Sequence, residues 1–166
     1  MAWRKLEFPS WTCERMIGFS LPVAGRLVLV CYCGIVSMDL ANPAAWTLDD
    51  SETAWEGGTG YDQTTQTLQY RGAIYRLLGL YGGEPIQRSG AGEEAELTAP
   101  VVIDTTGGRY MRSLTIRDRS GAVSFRVDFE ELSGDWGFAT FTSDGNYVIA
   151  GMPYDLFVVA REQHEG

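Results

Sequence analysis

Histidine is nearly missing from this chain: His164 is the single one. That excludes histidine-dependent catalytic triads and multi-histidine metal centres. Cations are also scarce. Thirteen Lys and Arg face 22 Asp and Glu, for a net charge of -9. Such a surface repels phosphate backbones, so nucleic acid is not an expected partner. Arg109, Arg112, Arg117, Arg119 and Arg126 are the densest basic group. They alternate with Asp118 and Asp128 and read as one solvated, mixed-sign sheet face. Cysteine is limited to Cys13, Cys31 and Cys33, an odd count that argues against a closed disulfide framework. On one strand Cys31 and Cys33 would share a face, which suits two small buried side chains better than a metal pair completed by Cys13 and His164. No metal site and no cofactor is expected.

One long apolar run exists, residues 16–38. It could be taken for a signal peptide or a membrane anchor. Arg26 near its middle is costly in hydrocarbon, and Pro22 and Gly25 divide it. Leu27 to Val30 with Ile35 and Val36 fit buried core strands, so a soluble protein is expected and a membrane partner is not.

What is present is a strand pattern. Val123, Phe125, Val127 and Phe129 alternate with Ser124, Arg126, Asp128 and Glu130, one face apolar and the other wet. Ser120-Gly121 precedes that run as a hairpin turn. Asp144-Gly145 separates Phe138–Phe141 from Tyr147–Ala150, the strongest short-range hairpin signal. Residues 156–160 are apolar on both parities, as in a strand covered on both faces. Ile74, Leu77, Leu78 and Tyr81 could line a helix, but Gly79 and Gly82-Gly83 count against one, and a strand pair is expected. Residues 39–62 and 82–99 carry Gly, Pro and acids and read as connections. The expected fold is therefore all-β with little helix: a β-sandwich or jelly roll, with a partly closed barrel as the variant. Residues 1–15 read as an N-terminal arm, 16–160 as a single β-rich domain and 161–166 as an exposed polar tail.

Motifs for chemistry fail their context. Gly90-Ala91-Gly92-Glu93-Glu94-Ala95 has the spacing of a dinucleotide-binding loop, but no apolar strand precedes it and two glutamates stand where a pyrophosphate would. No P-loop and no nucleophile elbow occurs. Asp128, Glu130, Glu131 and Asp135, and separately Asp49, Asp50, Glu52 and Glu56, could supply a carboxylate pair or a calcium site only if the fold brings them together. No catalytic residue is assigned, and the balance leans away from an enzyme.

Aromatic residues are plentiful. Trp3, Phe8 and Trp11 of the arm are expected to bury on an adjacent copy or partner. The leading expectation is a non-catalytic assembly protein, a repeated decoration, tail or head subunit of a virus particle or of another large complex. Its partners would be protein subunits, as a homo-oligomer or larger assembly, and its location the virion in the first case. The alternative is a carbohydrate-binding β-sandwich module using Trp46, Trp55, Tyr61 and Trp136, with a sugar as partner. A second alternative is a small carboxylate-dependent glycoside hydrolase.

Overall fold

A computed structural model describes residues 2–7, 15–50, 60–80 and 82–162. Every described element is a strand, and every named pair is antiparallel. The chain forms two compact units, Glu7–Glu84 and Met1–Leu6 with Pro85–Gly166. The region expected as one domain, 16–160, contributes to both units, and the first residues belong to the later one.

The 7–84 unit is one seven-stranded sheet. It contains β2 (Met16–Ser20), β3 (Arg26–Cys31), β4 (Gly34–Asp39), β5 (Asn42–Asp49), β6 (Tyr61–Asp62), β7 (Thr67–Tyr70) and β8 (Ala73–Gly79), in the order β5-β4-β3-β2-β8-β7-β6. Two meanders meet at β2 and β8. Gly18 pairs with Gly79 there. A Cβ on Gly79 would lie 2.6 Å from the Gly18 Cα, so only glycine lets the backbones approach this closely. Residues 16–38 are core strands, as their composition suggests: Leu27 to Cys31 are buried on both parities. Ile17, Val28, Val30, Ile35, Leu68, Tyr70, Tyr75 and Leu77 form this unit's apolar cluster. The sheet curls enough for the Tyr70 hydroxyl to donate to Asp49 Oδ2 at 2.9 Å, from β7 to β5. No ladder joins β5 to β6 among the described residues, so the barrel is not closed.

Part of the segment expected to be a connection is strand. β5 accepts Pro43 because it is an edge strand, where a missing N–H is tolerated. The Cys-x-Cys expectation fails for a related reason. β3 ends at Cys31 and pairs it with Gly34, which leaves Tyr32 and Cys33 as the hairpin loop. The two cysteines therefore do not share a strand face.

The other unit is a sandwich. One sheet is β1 (Trp3–Lys5), β15 (Asp155–Arg161), β14 (Tyr147–Met152) and β13 (Phe138–Phe141), in that order. The second has β11 (Arg109–Arg117) at its centre. β12 (Val123–Glu131) pairs with β11, and β9 (Glu94–Leu97) and β10 (Val101–Asp104) also pair with it, at successive stretches of its length. Between the sheets lie Trp3, Leu114, Ile116, Phe141, Val148, Ala150, Met152, Phe157 and Val159, with Phe125, Val127 and Phe129 packed against them. The period of two read in 123–130 thus places its apolar face on the core.

Five of the ten aspartates serve turns. Asp39, Asp62, Asp104, Asp118 and Asp144 each accept the backbone N–H two residues on, at 2.8–3.0 Å. This is the local bond that makes aspartate a turn former. Backbone and hydroxyl donors hold the Asp62, Asp104 and Asp118 carboxyls below the usual range.

Candidate functional site

The carboxylates singled out by sequence do not converge. On β12, Asp128 and Glu130 face outward, while Glu131 faces the core beside Phe129. Each is matched by a cation: Asp128 with Arg126, Glu130 with Arg109, Glu131 with Arg112. Asp135 is exposed in the following loop, and its carbonyl accepts from Arg112. In the other unit Asp49 accepts from Tyr70 and Arg71, Asp50 is exposed, and Glu52 and Glu56 lie outside the described residues. Arg112 corrects the picture of one solvated basic face. It shares the parity of Leu114 and Ile116, so it points inward, and it and Glu131 are almost fully buried. Its guanidinium also donates to the Thr98 carbonyl.

The aromatic set is likewise dispersed. Trp46 on β5 and Tyr61 on β6 are half-buried in the 7–84 unit. Trp136 belongs to the sandwich unit and stacks on Phe138, with centroids 6.2 Å apart. Trp55 lies outside the described residues. Trp3 does not project as part of an arm. It pairs with Arg161 across β1 and β15, packs against Phe141 and is buried within its own unit. It is already covered within its own unit, so little of its surface is left to bury on a neighbour. Phe8, Trp11, Cys13 and His164 also lie outside the described residues. Among the described residues no group of three or more His, Cys, Asp or Glu is placed to hold a metal, and no helix is long and apolar enough to cross a membrane.

The glycine-rich loop has a structural task. The Ser89 N–H donates to the Glu93 carbonyl, and the Gly92 N–H donates to the Ser89 carbonyl. Glu93 turns inward and receives both arms of Arg161. Burial pushes the Glu93 carboxyl up, but Arg161 and Ser89 outweigh this and hold it below the usual range. Arg161, expected in an exposed tail, is therefore largely enclosed.

Two features of the sandwich unit carry information that sequence reasoning missed. The first is the exposure of β10, whose existence as a strand beginning near Pro100 the sequence does indicate. Val101, Val102 and Ile103 are consecutive and exposed at 62%, 51% and 45%. They stand on a terminal strand that, among the described residues, pairs only with β11. The second is a groove of about 540 Å³, lined by Pro85, Arg88, Glu96, Leu97, Phe138 and Ala139 among others. Ile86 and Gln87 run between the two sheets beside it. The Ile86 carbonyl accepts from Phe141 N and the Gln87 carbonyl from Ala95 N. The alternation in Glu94-Ala95-Glu96-Leu97 was the available signal for β9, whose edge forms one wall.

Comparison with known proteins adds no constraint: no family model, no curated protein and no solved structure matches the chain.

Proposed function

We propose that the chain is non-catalytic and acts by association, as a repeated subunit of a virus particle or of another large complex. The observation that carries this reading is the apolar surface of β10. Three successive exposed aliphatic residues on a terminal strand leave both side chains and backbone groups to be covered. Patches of this kind mark interaction surfaces. Pro100 and the irregular register between Val102 and Asp104 keep the edge short, which favours a limited contact over an open-ended ladder. The dispersal of the carboxylates among cation partners and turns supports the same reading, as does a net charge of -9 that opposes indiscriminate aggregation.

The test is the native mass by light scattering across the micromolar range, for the wild type and for the Val101→Lys/Ile103→Lys double variant. Both positions are exposed, so the fold should tolerate the change. The expected result is an oligomer, or a complex with a recovered partner, that the double variant weakens. A wild-type monomer with no partner in its source, or assembly indifferent to the two lysines, overturns the reading.

A further inference from the structure

The groove beside Phe138 has two open strand edges as walls. Ala95 turns its N–H away from β11, to the Gln87 carbonyl at 3.0 Å. Backbone groups alternate along a strand, so Leu97 turns the same way. Phe141 turns its N–H away from β14, to the Ile86 carbonyl at 2.8 Å, so Ala139 does likewise. Leu97 and Ala139 both line the groove. Among the described residues neither backbone N–H donates outside its own ladder. The short extended stretch Ile86–Gln87 thus satisfies one outward peptide group on each edge and leaves the next one open. Pro85, with no N–H to offer, is where that stretch ends.

We propose that this groove takes an extended, basic segment of a partner polypeptide, whose backbone continues the edge pairing that Ile86 and Gln87 begin. The idea rests on the association reading and names the partner's chemistry. Strand addition of this kind draws affinity from main-chain bonds and specificity from alternate side chains. Ile86 and Gln87 already occupy about half of the four-residue edges of β9 and β13, which leaves about 7 Å of each, enough for two partner residues. Charge selects the partner. Arg88 is already engaged by Glu94, while Glu96 is exposed and has no ion-pair partner among the described residues. A lysine or arginine of the incoming segment would answer it. Half-buried Leu97 and Phe138 offer apolar contact to the residues between. A second copy of this chain, itself at -9, is the poorer fit.

The probe is a capped heptapeptide of alternating lysine and valine, titrated into the full chain while the backbone amide resonances are followed. A saturable shift centred on Leu97 and Ala139 is expected. Methylating alternate peptide nitrogens removes the edge donors without touching the side chains and should weaken binding about tenfold or more. Glu96→Lys should do the same, and a glutamate–valine counterpart should not compete. No saturable shift at millimolar peptide, equal binding of the methylated form, or indifference to Glu96→Lys overturns the proposal. Light scattering on the same samples separates the two readings. An oligomer that ignores the peptide loses the groove and keeps association. A strict monomer that binds it keeps the groove and loses the repeated-subunit reading.

Discussion

Arg161 and Glu93, 68 residues apart in sequence, form a two-armed ion pair that fastens the last strand to the glycine-rich turn. Arg161 also donates to the Gly145 carbonyl, at 3.0 Å from Nη2, and lies 4.5 Å over the Trp3 ring. One guanidinium thereby joins β1, β15, the 89–93 turn and the β13–β14 hairpin.

Removing that guanidinium strands a largely enclosed carboxylate. Arg161→Met is expected to destabilise the protein by about 2–5 kcal/mol, most of it the cost of leaving Glu93 unpaired. Adding Glu93→Gln should recover part of the loss, because the uncompensated charge goes with it. Denaturant unfolding of the two single variants and the double variant measures the coupling. Additive losses would show that the two side chains do not act as a pair.

Gly145 has a φ of +70°, in the hairpin that Asp144-Gly145 announces. A Cβ there would meet only the Ser89 Cβ, at 3.8 Å, which is ordinary contact. The cost of a side chain is therefore backbone strain and not a clash. Gly145→Val should cost about 1–3 kcal/mol, or about 2–4 °C in Tm per kcal/mol. Gly145→Asn should cost less, since asparagine tolerates the left-handed region. Equal melts for the two variants would count against strain as the cause.

Residues 110–160 were the legible part of the fold, because one wet face and one dry face impose a period of two, and glycine marks the turns between. Legibility fell where that rule lapses. β5 is an edge strand carrying Pro43, so it lacks the pattern of a paired core strand. β9 hides behind Gly90, Gly92 and two glutamates, one of which is buried only because a distant arginine meets it. Arg112 carries a usable signal in its parity with Leu114 and Ile116, but an inward charge makes sense only with Glu131, which meets it diagonally from two residues beyond its cross-strand partner Phe129. The groove was not legible at all, since it depends on where Ile86 passes between sheets and not on any local spacing.

Among the described residues, Asp155 is the one carboxylate pushed up from its usual value. Burial is the main cause and the Glu131 charge adds to it, while Lys5 works weakly the other way. Arg112 faces Glu131 across the core end of β11 and β12 and is already engaged there. Lys5, on β1, lies 4.6 Å over the Phe157 ring. A carboxyl whose folded pKa is raised contributes stability that is complete below its unfolded pKa and is lost as pH rises through the folded pKa. Asp155→Asn should therefore stabilise the protein at neutral pH and give no advantage in acid. Asp62, Asp104, Asp118 and Glu93 have lowered folded values. Their contribution is present above the ordinary carboxylate range and disappears as pH falls through the folded pKa values, so the wild type should lose stability on acidification despite Asp155. Thermal melts of wild type and Asp155→Asn between neutral pH and the carboxylate range check both signs. A variant that is no more stable than wild type at neutral pH would show that the Asp155 charge is not the burden its burial beside Glu131 implies.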